Sequence, residues 1–152
     1  MRITARGRIV SEPEVVPTSP EEYMSTPVQK VSAIIGVVFL LIGVLGFVFG
    51  TAGMPPDHLF GIFRVNLLHN IVHLAFGAWG LAASRTQIAA ESYAQVAGVV
   101  YVVLALLGFF APSGFNLVPI GGHNIWLHSV IGLVLLYFGF GASLADEPLR
   151  TE

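Results

Sequence analysis

The sequence contains no cysteine, which excludes disulfide bonds, thiolate metal ligands and thiol catalysis. Charged residues are also scarce, because they make up only 11% of the chain, against about 25% in a typical soluble domain. A water-exposed surface needs more charge than this, and a disordered chain combines high charge with low hydrophobicity. The composition therefore excludes both a soluble globular domain and a disordered chain.

The chain has no basic excess either. Its formal net charge is −2, so nothing in the composition points to nucleic acid as a partner. Hydrophobic residues make up 55% of the total. They form four long apolar runs at 31–49, 66–83, 93–111 and 125–145. A bilayer core about 30 Å thick needs roughly 20 helical residues, so the sequence predicts a polytopic protein embedded in a lipid bilayer.

The apolar runs are continuous, whereas strands of a membrane barrel alternate over about ten residues. Helices also satisfy their own backbone hydrogen bonds inside lipid. The predicted fold is therefore all-α, an integral membrane four-helix bundle. We expect a membrane domain over 26–145, with helices at about 28–50, 66–83, 92–111 and 124–145.

Local signals mark the boundaries of this domain. Thr26 and Gln29 have the spacing of a capping box, with Pro27 at the first helical position. Residues 1–25 hold four glutamates, three arginines and three prolines without an apolar run, which predicts a flexible cytoplasmic tail, and 146–152 form a second one. The segment 58–64 is interpreted as a short interfacial helix, and Asn124 as the N-cap of the fourth helix.

The basic residues predict the orientation. Six of the seven fall on one side of a four-span topology, and these are Arg2, Arg6, Arg8, Lys30, Arg85 and Arg150. Only Arg64 falls on the other side. By the positive-inside rule, both termini are cytoplasmic.

The sequence also contains an internal repeat. The motif Gly36-Val37-Val38-Phe39 recurs as Gly98-Val99-Val100-Tyr101, and Val72-His73 with Gly77 recurs as Leu127-His128 with Gly132. This repeat predicts a bundle built from two repeated helical hairpins of the same orientation. Parallel repeats occur in transporters, and duplicated hairpins also build plain four-helix bundles.

The same segments carry a family resemblance. They include the run Leu68-His69-Asn70-Ile71-Val72-His73-Leu74, the two repeat motifs and Trp126-Leu127-His128. On these residues the chain resembles the bacterial membrane family known as domain of unknown function 4383, over roughly 27–144. The resemblance implies a four-span membrane protein, and we expect it to lie in the bacterial inner membrane. It implies no activity, so no functional residue is carried over from it.

Histidines inside the predicted spans are the one chemical clue. His69 and His73 are four residues apart and share a helix face, and His128 takes the repeat position of His73. Imidazole is a good ligand for haem iron and transition metals. The three histidines are therefore candidate ligands of a b-type haem, another tetrapyrrole or a metal ion. Candidate supporting residues around them are Asn70, Asn124 and Tyr101.

Packing without a ligand explains the same residues. Buried histidine and asparagine form hydrogen bonds between membrane helices, and small residues let helices approach closely. No acidic residue lies in a predicted span, which argues against acid–base catalysis. Two functions remain open. The first is a small structural or accessory subunit that packs in a larger membrane assembly or with itself. The alternative is a protein that binds a cofactor or metal ion through these histidines and uses it for electron transfer.

Overall fold

The structure is a computed structural model that describes residues 2–3, 9–10, 26–50 and 57–145, with side chains over 26–50 and 57–141. Four helices dominate it, and they are α1 (Pro27–Leu45), α2 (Leu67–Ala83), α3 (Gln87–Phe110) and α4 (His123–Ala145). A π-helix at Gly46–Gly50 continues α1, and a short 3₁₀ turn at Gly114–Asn116 follows α3. The predicted all-α fold is confirmed.

Two very short strands precede the helices. Strand β1 (Arg2–Ile3) pairs with β2 (Ile9–Val10) in antiparallel register. They lie in the segment that the sequence predicts to be a flexible tail. The other residues of 1–25, and all of 146–152, lie outside the described residues, so both tails stay predictions.

The capping box at the start of α1 is confirmed. The Thr26 hydroxyl accepts a hydrogen bond from the Gln29 backbone N–H, and the Gln29 side-chain oxygen accepts one from the Thr26 backbone N–H at 3.3 Å. Pro27 occupies the first turn, where no intrahelical donor is needed. The Gln29 side chain also donates to the carbonyl of Ser84 at 3.0 Å. The cap therefore also ties α1 to the α2–α3 connection.

The predicted interfacial helix at 58–64 is wrong. Strand β3 (His58–Leu59) pairs with β4 (Phe63–Arg64) to form a hairpin. Phe60 and Gly61 have φ values of 55° and 71°, the left-handed conformation used by the tight turns of hairpins. A right-handed helix excludes two consecutive residues of this kind.

Two helix starts also differ from the sequence predictions. Helix α3 begins at Gln87 instead of about 92, because the Thr86 hydroxyl accepts from the Ala89 N–H and caps it there. Asn124 lies inside α4, which begins at His123. Its side-chain amide donates to the carbonyls of Arg64 and Pro119. The interpretation of Asn124 as an N-cap is therefore wrong.

Close glycine contacts hold α1 against α2, and α3 against α4. A Cβ atom at Gly36 would lie 2.8 Å from the backbone nitrogen of Leu81, and one at Gly77 would lie 2.8 Å from the Gly36 carbonyl oxygen. In the other pair, a Cβ at Gly132 would lie 3.1 Å from the Gly98 carbonyl oxygen. Such contacts are possible only where the side chain is absent.

The outward faces are apolar and suit lipid. Within the described residues, three helical segments are long and apolar enough to cross a membrane, and they are Pro27–Gly50, Gln87–Phe110 and His123–Gly141. Helix α2 is also apolar but has only 17 residues, which is about 25 Å of helix. We call the end of the bundle that carries the β3–β4 hairpin and the α3–α4 connection the far end.

Candidate functional site

Five aromatic side chains from all four helices form a closed ring of contacts, which we call the aromatic cluster. Its members are Phe39, His69, His73, Tyr101 and His128. The His69 and His73 rings stack with centroids 4.5 Å apart, and the His69 and His128 centroids are 6.2 Å apart. Phe39 contacts His73 at 5.2 Å, Tyr101 contacts His128 at 5.3 Å, and Phe39 stacks on Tyr101 at 5.0 Å.

The cluster has two matching halves. The Phe39 and His73 rings meet edge to face at an interplanar angle of 78°, and Tyr101 and His128 meet at the same angle. The stack of Phe39 on Tyr101, with 17° between their planes, joins the two pairs. Edge-to-face and stacked pairs of this kind add about 0.5–1.5 kcal/mol each beyond burial. The cluster therefore contributes to holding the four helices together.

The structure brings together four of the six predicted site residues: His69, His73, His128 and Tyr101. The two asparagines face other groups. Asn124 bonds to backbone carbonyls near the far end, and the Asn70 side chain packs against Gly46 of the π-helix. Neither asparagine side chain forms a hydrogen bond to a histidine side chain in the described part of the chain, so nothing in the structure supports their predicted role as direct supports of the histidines.

Several polar atoms in this region are buried without a partner. His73 Nδ1 lies 3.1 Å from the His69 carbonyl oxygen. Among the described residues, Nδ1 of His69, Nδ1 of His128 and both amide atoms of Asn70 have no hydrogen-bond partner. Asn70 is fully buried. Buried polar atoms are normally bonded to protein or water, so these atoms lack the partner that such groups usually have.

The ring geometry bears on metal and haem binding. A metal ion bound by imidazole lies in the ring plane near the nitrogen lone pair, so two stacked rings at 10° to each other do not point at one ion. In the described part of the chain, no group of three or more histidine, cysteine, aspartate or glutamate side chains is placed to hold a metal ion. Phe39 and Tyr101 link His73 to His128 by direct ring contact. A haem between these two histidines would have to displace both rings.

A polar pocket of about 230 Å³ opens at the far end of the bundle. We call it the far-end pocket. Its lining consists of Asp57, Arg64, Val65, Asn66, Ser113, Asn116 and Pro119. Pro119 connects it to the aromatic cluster, because its carbonyl lies close to the His69 ring. The pocket therefore lies next to the histidines, on their far-end side.

Hydrogen bonds between distant segments build the far-end pocket. The Asn66 side chain accepts from the His69 backbone N–H as the cap of α2, and it donates to the Leu117 carbonyl at 2.8 Å. The Asn124 amide donates to the Arg64 carbonyl at 2.8 Å. These bonds fix the β3–β4 hairpin against the α3–α4 connection, so the walls of the pocket have a defined geometry.

A family model described as domain of unknown function 4383 matches residues 29–141. The chain belongs to this family. The resemblance stated from the sequence is thus confirmed, and the chain is a membrane protein of the 4383 family. No curated protein and no solved structure matches it.

Sequence reasoning missed two parts of this candidate site. Phe39 carries no polar group and was not a candidate, although the repeat motif aligns it with Tyr101. The pocket residues Asp57, Ser113 and Asn116 come from loops that are far apart in the sequence, and no motif connects those loops. The repeat was the available signal for Phe39. No comparable signal existed for the pocket.

Proposed function

We propose that this protein is a small structural or accessory subunit, and that it packs against a neighbouring membrane helix through α2. The observation that carries the proposal is the outward face of α2, where Ala75, Ala78 and Ala82 are exposed. Helix α2 also exposes large residues such as Ile71 and Trp79, but its three exposed alanines form one stripe at i, i+3 and i+7. The outward faces of the other helices carry mostly large residues, such as Val99 and Leu133. Small residues let another helix approach closely, and membrane interfaces are enriched in them.

The hydrogen bonds of the interior support a packing role. Ser32 of α1 donates to the Ala90 carbonyl of α3, and Gln95 of α3 donates to the Gly139 carbonyl of α4 at 2.8 Å. Polar side chains that form hydrogen bonds to a neighbouring helix are typical of packing between membrane helices. The interior polar groups therefore mainly fix the bundle geometry.

The substitution Ala78→Leu tests the proposal. Mass measurements on protein extracted in a mild detergent should show the wild type as a dimer or in a larger assembly, and Ala78→Leu should release the monomer. Val99→Leu adds bulk to an exposed position on α3 and is the matched control. If the two variants and the wild type have the same mass, the α2 face is not an interface in the extracted assembly.

The alternative function is binding of a b-type haem, another tetrapyrrole or a transition metal by His73 and His128, with His69. The unpartnered Nδ1 atoms of His69 and His128 favour a ligand here. The Phe39–Tyr101 stack argues against a macrocycle between the histidines, and the parallel His69 and His73 rings argue against one ion shared by those two. The absorption spectrum and metal content of the purified protein test it. A Soret band or stoichiometric metal that is lost in His128→Leu would establish this alternative over the packing role.

We also propose that both termini lie on the cytoplasmic side of the bacterial inner membrane and that all four helices span it. The distribution of basic residues supports this orientation. A periplasmic reporter fused after Glu152 should be inactive, and a cytoplasmic reporter at the same place should be active. The reverse result would invert the topology.

The two repeated hairpins form the last part of the proposal. In both halves, the glycine of the first helix (Gly36 or Gly98) contacts the glycine of the second (Gly77 or Gly132) through its carbonyl. The equal angles of the two aromatic–histidine pairs support the same relationship. Equivalent contacts at equivalent motif positions are what a duplicated hairpin predicts.

A further inference from the structure

We propose that the far-end pocket binds the zwitterionic head group of a phospholipid, with the phosphate at Arg64 and the ammonium group at Asp57. This proposal does not depend on the subunit role or on the histidine ligands. It rests on the charges of the pocket, on its other polar groups, and on the apolar residues around it.

The pocket contains one side chain of each charge. Asp57 and Arg64 both line it and both are exposed, and in the described part of the chain they form no ion pair with each other. Two opposite charges that are held in one pocket but apart suit a ligand that carries both signs. A purely anionic head group would leave Asp57 facing a like charge, which is unfavourable.

Further polar groups fit the phosphate end of such a ligand. Ser113 and Asn116 line the same pocket, and their side chains form no hydrogen bond within the described residues. Asn66 lines it as the N-cap of α2, which places the start of this 17-residue helix at the pocket. Helix N-termini favour anions, and Arg64 adds a formal positive charge beside it.

The surroundings favour a lipid over a soluble zwitterion. Phe60 is 65% exposed, Phe115 71% and Leu117 63%, and all three lie in the two connections that form the pocket. Apolar and aromatic residues at a membrane surface enter the interface at the level of the head groups. The volume of about 230 Å³ is below the roughly 300–1,000 Å³ of sites that enclose a whole small molecule. A head group therefore fits with its acyl chains outside.

Lipid binding to the full chain tests this proposal. Detergent-solubilised protein is incubated with equal amounts of phosphatidylethanolamine and phosphatidylglycerol, and bound lipids are counted by native mass spectrometry. We expect the wild type to retain phosphatidylethanolamine at least fivefold better. Arg64→Gln should lose retention of both lipids, because the phosphate partner is removed. Asp57→Asn should shift the preference towards phosphatidylglycerol, because only the ammonium partner is removed.

The controls are matched in charge and lie at the opposite end of the bundle. Arg85→Gln and Glu91→Gln remove one charge each near the α2–α3 connection and should retain lipid like the wild type. Asp57 has a positive φ, and asparagine tolerates this conformation about as well as aspartate, so Asp57→Asn should keep the local backbone. Far-UV circular dichroism verifies the fold of every variant. Equal retention of the two lipids by the wild type would overturn the proposal. Unchanged retention in both pocket variants would do the same.

A second measurement separates the lipid from a free zwitterion. Soluble glycerophosphoethanolamine should raise the midpoint of thermal unfolding of the wild type but not that of Arg64→Gln. Glycine carries both charges without a phosphate and should have no effect. Stabilisation by glycine and not by glycerophosphoethanolamine would overturn the assignment to a lipid head group.

Discussion

The contact between Gly36 and α2 allows a quantitative prediction. In Gly36→Ala, the new Cβ would lie 2.8 Å from the Leu81 nitrogen and 3.0 Å from the Gly77 oxygen. Both are backbone atoms, so no side-chain rotation relieves the contact, and α1 and α2 must move apart. Overpacking of a close-packed interior costs about 1–3 kcal/mol. Alanine recovers up to about 1 kcal/mol through its higher helix propensity.

Gly141 is the matched control on α4. A Cβ built there meets no described atom within 4 Å, so Gly141→Ala gains the helix propensity without the overpacking. The free energies of unfolding of the two variants should therefore differ by about 1–3 kcal/mol, with Gly36→Ala the less stable.

Titration with sodium dodecyl sulfate in mixed micelles, followed by far-UV circular dichroism, measures these free energies. The double variant Gly36→Ala/Gly77→Ala should lose less free energy of unfolding than the two single variants lose together, because both changes open the same contact. Equal stability of Gly36→Ala and Gly141→Ala would refute the close approach of α1 and α2.

Three further predictions use the same titration. Thr26→Ala should lower the free energy of unfolding by about 1 kcal/mol, because it removes the capping hydroxyl of α1; no change would mean that the cap adds nothing. Tyr93→Phe should leave stability unchanged or raise it by about 1 kcal/mol, since the buried Tyr93 hydroxyl has no partner among the described residues; a clear loss of stability would reveal a partner. His73→Leu and His128→Leu should each destabilise the bundle, and their effects should combine less than additively because both residues belong to the aromatic cluster. His123→Leu, at an exposed site, should be near neutral. Fully additive effects would mean that the two histidines do not share one cluster.

Much of the helical structure follows from the sequence, because it depends on local signals. The apolar runs predict the four helices, and the spacing of Thr26, Pro27 and Gln29 predicts the start of α1. The 58–64 hairpin was not predictable in the same way. Its apolar residues are compatible with a helix, and the left-handed conformation of Phe60 has no marker in the residue type.

The site was predictable only as far as helix periodicity and the repeat reach. Periodicity places His69 and His73 on one face, and the repeat pairs His73 with His128. The far-end pocket depends on contacts between distant segments, such as the bond from Asn66 to the Leu117 carbonyl. Nothing local in either segment encodes that they meet, so the pocket appears only in the folded structure.

The proposed repeat also shows where the two halves differ. His69 stands four residues before His73, and Asn124 stands four residues before His128, so the two occupy equivalent positions. The Asn124 amide donates to the Pro119 carbonyl, and the His69 ring lies close to the same carbonyl. Asn70 takes the place of Ile125. A Cβ at Gly46 would meet the Asn70 side chain, just as one at Gly108 would meet Ile125. The same packing position is therefore polar in one half and apolar in the other.

Asn70→Ile copies the second half into the first and tests what the amide does. Both amide atoms of Asn70 are buried without a partner in the described part of the chain, and an unsatisfied buried group costs about 1–3 kcal/mol. If the amide has only a packing role, the variant should gain about that much free energy of unfolding, because isoleucine fills the position without a polar group. A variant less stable than the wild type would contradict this reasoning. It would mean that Asn70 makes a polar interaction that isoleucine cannot replace, or that the branched side chain overpacks the contact with Gly46.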